Sequence, residues 1–141
     1  MNAELTLLAW TAALAIVQVL LASLGAMTQF SLEVLVGNRE IPVEGAGWVG
    51  RAQRAHRNLL ESLMPFAAMV LVAHAAGVSN ATTVLGAQLF FYARVAYAIV
   101  YIVGIPWLRT LIWTAGVVGI LMILHHLQVT RGVAQKSQAP V

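Results

Sequence analysis

Between Arg51 and Glu61 the chain reads R-A-Q-R-A-H-R-N-L-L-E, which gathers arginines, an asparagine and a glutamate within about three helical turns. Arg54, Arg57 or Asn58, and Glu61 recur at i, i+3 or i+4, and i+7, the spacing that stacks side chains on one helix face. Arg94, Tyr97 and Tyr101 repeat that spacing farther along, and Arg109 and Thr110 follow a Gly-Ile-Pro turn. Guanidinium forks hold carboxylates through paired hydrogen bonds, and a glutamate accepts from an ammonium group. Together these residues suit a small hydrophilic anion with two carboxylates and an amine. Phosphates or lipid head groups fit the arginines equally well, so residue types alone leave the ligand open.

The elements that position these residues must be membrane spans. The 141 residues are 60% hydrophobic and 9% charged, with a mean hydropathy of +0.83, whereas soluble domains carry about 25% charged residues. The chain therefore reads as an all-α integral membrane protein of one domain, with room for about four spans of about 20 residues each. The net charge of +3 does not point to nucleic acid, because Arg39, Arg51, Arg54, Arg57 and Arg109 lie in or beside two connections between spans. Cysteine is absent. Disulfides, thiolate metal sites and a cysteine nucleophile are thereby excluded, and any thiol chemistry needs a thiol from the substrate. His125 and His126 are adjacent, about 100° apart on a helix, and make a poor chelate, so no metal is expected.

Charge-free runs place the spans at residues 5–27, 51–76, 81–103 and 106–130. The opening M-N-A-E-L lacks the positive n-region of a signal peptide and reads as the start of a retained span. Gly77 ends the second span, Ser79 or Asn80 caps the third, and Pro106 suits the first turn of the fourth. The tail, residues 131–141, is expected to be disordered. Basic residues gather on the side of the first and third connections, which predicts both termini on the non-cytoplasmic side. At 1.5 Å of rise per residue, Glu61 lies about 15 Å and Arg94 about 13 to 14 Å from that basic face. A lone arginine at such depth is costly, so the matching depths predict an Arg94–Glu61 ion pair inside one polar pocket.

Two segments carry a resemblance: R-A-Q-R-A-H-R-N-L-L-E-S-L-M-P-F and A-R-V-A-Y-A-I-V-Y-I-V-G-I-P-W-L-R-T-L-I-W. They resemble the second-helix signature, and the third helix, turn and fourth-helix start, of the MAPEG superfamily, the membrane-associated proteins in eicosanoid and glutathione metabolism. The resemblance covers four spans and nearly the whole chain. It implies a four-helix bundle assembled as a homotrimer, with glutathione bound between neighbouring subunits near the cytoplasmic face. It makes Arg54, Arg57, Asn58, Glu61, Arg94, Tyr97 and Tyr101 glutathione contacts, with Arg51 at the rim. Arg109 falls where activating members stabilise the thiolate, and Thr110 where the prostaglandin E synthase branch has a serine. Tyr97 departs from that branch, which has a histidine there, and the first connection is longer and richer in glycine.

The implied activity is that of a glutathione-dependent transferase or peroxidase acting on lipophilic electrophiles that reach the site through membrane lipids. The alternatives are a non-catalytic MAPEG-like scaffold or subunit of a larger complex, and a polar relay or lipid-head-group site that uses no glutathione. Individual residues have plainer readings too. Arg39 and Arg51 suit interfacial anchoring, Tyr97 and Tyr101 an aromatic belt, and Arg109 a loop anchor. His56, on a different face from Glu61, reads as a head-group contact.

Overall fold

A computed structural model describes residues 2–38 and 42–137; of Arg131 and residues 133–137 it describes the backbone alone. The regular elements are helices, in the order α1 Ala3–Met27, α2 Leu32–Val36, α3 Gly47–Ala75, α4 Ala81–Val103 and α5 Pro106–Ser137. Four segments, Ala3–Met27, Gly47–Ala75, Ala81–Val103 and Pro106–Thr130, are long and apolar enough to cross a membrane. The protein is an all-α, multi-pass integral membrane protein, and α4 and α5 begin where the charge-free runs and turn residues predict.

Local chemistry explains these limits. Asn80 accepts from the backbone N–H groups of Thr82 and Thr83, while the Thr83 hydroxyl accepts from the Asn80 N–H, a reciprocal cap that starts α4. Past the end of α3, Gly77 sits at φ +66°, and the Val78 N–H reaches back to the Ala73 carbonyl. Gly104 does the same for α4 at φ +95°.

Two boundaries differ from expectation. Helix α3 starts at Gly47, four residues before Arg51, because Val49 is fully buried and a Cβ on Gly25 of α1 would lie 3.0 Å from its side chain. Helix α5 runs on to Ser137 in place of the disorder expected from residue 131; Ala, Gln and Lys are good helix formers, and proline first returns at Pro140. Residues 138–141, and Arg39, lie outside the described residues.

Helix α4 packs most extensively on α5, and α1 on α3. The α3–α4–α5 core centres on Phe66 and Phe90, stacked at 4.0 Å, with Val70, Ala87, Ile123 and Leu127 around them. The α4–α5 approach depends on paired glycines. A Cβ on Gly119 would lie 2.5 Å from the Gly86 carbonyl oxygen and 2.9 Å from the Phe90 nitrogen. The close approach of Gly119 to Gly86 thus lies within the protomer. Gly119→Val is expected to lower thermal stability in detergent by about 1–3 kcal/mol through overpacking. Gly132→Ala, which meets nothing within 4 Å, should be neutral or slightly stabilising in the same assay. At the opposite end, Glu4 is 2% exposed and accepts from Thr83 Oγ1 at 2.7 Å and Ser79 Oγ at 2.9 Å, tying α1 to the start of α4.

Candidate functional site

Helix α3 presents two polar stripes. Successive residues are about 100° apart on a helix, so the neighbours Arg57 and Asn58 cannot serve the same side. Asn58 faces α4 and α5 together with Glu61, and Arg51 and Arg54 line a cavity with the α4–α5 turn. Arg57 turns the other way, into a groove between α3, α1 and α2. The expected single pocket is corrected at this point, since within the protomer Arg57 does not join the set around Arg94.

Arg94 is the centre of that set. It is 1% exposed, and its guanidinium carbon lies 5.1 Å from the Phe90 ring and 5.5 Å from the Tyr97 ring. Gly116 on α5 makes room for it, because a Cβ there would lie 3.3 Å from Nη2. Nη1 donates to Asn58 Oδ1 at 2.9 Å, while Nε and Nη2 are buried without a partner. The partner is therefore Asn58, and the predicted Arg94–Glu61 ion pair does not form. The cause is the early start of α3. Counted from Gly47, Glu61 lies about 21 Å down the helix and Asn58 about 16 Å, so Asn58 comes nearer the depth of Arg94. Glu61 remains exposed and lines the same cavity as Arg94.

Three cavities run along the α3–α4–α5 face and share lining residues. The inner one, about 350 Å³, has a polar edge of Asn58, Glu61, Ser62 and Arg94 and an apolar wall of Pro65, Trp113, Val117, Ile120 and Leu121. The middle one, about 220 Å³, is bounded by Asn58, Tyr97, Arg109, Thr110 and Trp113. The outer one, about 190 Å³, brings together Arg51, Arg54, Tyr101 and Arg109 at the α4–α5 turn. Asn58 and Trp113 join inner to middle, and Arg109 joins middle to outer. Of the glutathione contacts and activating residues expected from the resemblance, all except Arg57 border this chain of cavities.

Each cation of the outer cavity is held in place. Arg51 Nε donates to the Ile102 carbonyl at 2.8 Å, using an oxygen that the end of α4 leaves without a helical partner. Arg54 Nη1 pairs with Glu44 at 2.6 Å. Arg109, in the first turn of α5, stacks its guanidinium over Tyr101 at 4.6 Å, and Tyr101 leans on Tyr97 at 5.4 Å. The arrangement offers two unused N–H donors on a buried cation, further arginines toward one end, a carboxylate at the other, and a lipophilic wall alongside.

Sequence reasoning missed Trp113, Gly116 and Glu44. Trp113 and Gly116 follow Arg109 at i+4 and i+7 on α5, a periodicity that was available but indistinguishable from a lipid-facing stripe. Glu44 left no signal, because its pairing depends on how the first connection folds back on α3.

A family model described as the MAPEG family matches residues 7–127. No curated protein matches the chain.

Proposed function

Because the chain belongs to the MAPEG family, we propose that it is a membrane-bound, glutathione-dependent transferase or peroxidase acting on lipophilic electrophiles or hydroperoxides. The family supports in general a membrane role related to glutathione or eicosanoids. The finer reading rests chiefly on one observation, the two partnerless donor nitrogens, Nε and Nη2, of buried Arg94 at the wall of a cavity. A buried cation with unused donors is costly, and an anionic ligand relieves that cost.

Glutathione offers two carboxylates, an ammonium group and a thiol. Arg94, Arg54 and Arg51 hold its carboxylates, and Glu61 accepts from its ammonium. Asn58, Tyr97 and Tyr101 fix its backbone within the cleft. Its thiol lies at the middle cavity, beside Arg109 and Thr110. Arg57, which α3 turns toward α1 within the protomer, contributes to the site from the neighbouring subunit.

A free thiol has a pKa of about 8.5, and a cation within about 4–6 Å lowers such a value by about 1–3 units. Arg109 and the N–H groups opening α5 supply that positive potential. The thiol proton passes to water, and the thiolate forms a carbon–sulfur bond while the leaving group departs with its electron pair. With a hydroperoxide the thiolate attacks oxygen and the O–O bond breaks. An alcohol leaves, and a second glutathione converts the sulfenic acid to disulfide and water. The apolar wall of Trp113, Val117, Ile120 and Leu121 holds the lipophilic partner, which arrives from the bilayer.

The protein works as a homotrimer, with the arginine-rich ends of its helices at the cytoplasmic face and both termini on the other side. Particle mass in detergent checks the trimer. The activity is tested by titrating glutathione into the purified protein and following thiolate absorbance in the ultraviolet at neutral pH. A saturable rise is expected. Its absence in a folded sample would assign the protein to the non-catalytic scaffolds.

A further inference from the structure

The only ion pair among the described residues joins Glu44, in the first connection, to Arg54 of the outer cavity, with Nη1 donating to Oε1 at 2.6 Å. That cavity is lined by Arg51, Arg54 and Arg109, and no carboxylate among the described residues lines it. Like charges gathered in one place favour a counter-anion. Glu44 supplies one, from the connection and not from a helix of the bundle.

The connection is built to keep it there. Directly after Glu44, the Gly45 N–H donates to Gln53 Oε1 of α3 at 2.9 Å. The Ala46 N–H donates to Gln29 Oε1 at 2.7 Å, and Gln29 Nε2 donates back to the Ala46 carbonyl at 3.2 Å. Gly45 is buried, and a Cβ on Gly50 would overlap its carbonyl oxygen, so this stretch of backbone lies against the first turn of α3. The two residues that follow Glu44 are thus anchored, whereas its own side chain is 52% exposed and Arg54 is 43% exposed. Arg54 is the only hydrogen-bond partner of the Glu44 side chain among the described residues. The backbone is fixed, and the carboxylate can turn away without moving it.

We propose that Glu44 is a tethered internal competitor, which takes on Arg54 the place of a ligand carboxylate and is displaced when the ligand enters. A carboxylate held beside its cation by a short tether acts at a high effective concentration. The exchange therefore sets a threshold. An anion that reaches Arg54 alone gains little over Glu44, whereas one that also engages the neighbouring arginines exceeds it. The identity of the ligand rests on the glutathione reading; the competition itself requires only an anion.

The test is calorimetric titration of glutathione into the detergent-purified full chain, its Glu44→Gln and Arg54→Gln variants, and the double variant. Glu44→Gln keeps the size of the side chain and removes its charge. It is expected to tighten binding about two- to fivefold, the usual worth of an exposed ion pair. In the Arg54→Gln background the same substitution should change nothing, since the cation competed for is gone. Equal affinity in the parent and Glu44→Gln overturns the proposal. Weaker binding by Glu44→Gln does so too, because it makes Glu44 a residue that orients Arg54 for the ligand. If no sample takes glutathione, the glutathione reading falls, and the same four proteins titrated with inorganic phosphate decide the competition. Tighter phosphate binding by Glu44→Gln that depends on Arg54 sustains it, and any other result overturns it.

Discussion

Arg94→Met is expected to give a folded protein that has lost glutathione binding by on the order of 10²-fold, the worth of two charge-assisted hydrogen bonds. Methionine preserves much of the length and packing between Phe90, Tyr97 and Gly116 but carries no N–H. Its effect on stability separates the two roles open to this residue. The arginine has one hydrogen-bonded partner, the neutral amide of Asn58, and two donors without partners. Replacing such a cation by an apolar side chain removes a desolvation cost and leaves no opposite charge stranded. Thermal stability without ligand should hold or rise while affinity collapses. A variant that binds glutathione normally, or one that melts far below the parent, would make Arg94 a structural residue and remove the main support for the proposed ligand. Calorimetric titration and thermal unfolding of the same detergent sample read both quantities.

Arg109→Gln is expected to do the reverse, sparing both folding and glutathione affinity while cutting thiolate formation at neutral pH by about tenfold to 10³-fold. Arg109 borders the middle cavity with Thr110 and Trp113 and is half-buried over the Tyr101 ring. It donates to no carboxylate among the described residues, so its loss strands no partner. The sign of the pH effect follows directly. A cation beside the sulfur favours the charged form and lowers the thiol pKa, so removing it returns that pKa toward about 8.5. Thiolate absorbance in the variant should be low at neutral pH and recover as pH rises through that value, while the parent changes little over the same interval. Equal turnover and equal pH profiles in a folded Arg109→Gln sample would take this residue out of the mechanism.

These two outcomes differ because the cleft divides its work along its length. The end around Arg94 is buried, with aromatic rings on the cation, so unsatisfied donors there carry a large penalty and a ligand that satisfies them is held tightly. Near the α4–α5 turn the arginines are less buried than Arg94, and they act on a ligand already in place. The proximity of Trp113 to both regions puts a lipophilic substrate next to the position assigned to the sulfur.

Much of this was legible in the residues alone. The charge-free runs require four spans, Asn80 and Gly104 mark the limits of α4, and Pro106 opens α5, because hydropathy and capping act within a turn or two of the residue that carries them. The need of Arg94 for a polar partner was legible too, since desolvating a guanidinium is costly whatever surrounds it. Which partner it takes was decided only by the tertiary structure. Burial of Val49 and the tight contact at Gly25 carry α3 back to Gly47, and the glycine contact between Gly86 and Gly119 sets how close α5 comes. Those helix registers and rotations bring Asn58 to Arg94 where depth counting had put Glu61, turn Arg57 into a separate groove, and set Trp113 between two cavities. A sequence states its periodicity along each helix, but the angle at which one helix meets another arises from packing between residues far apart in the chain, and the identity of each contact follows from that angle.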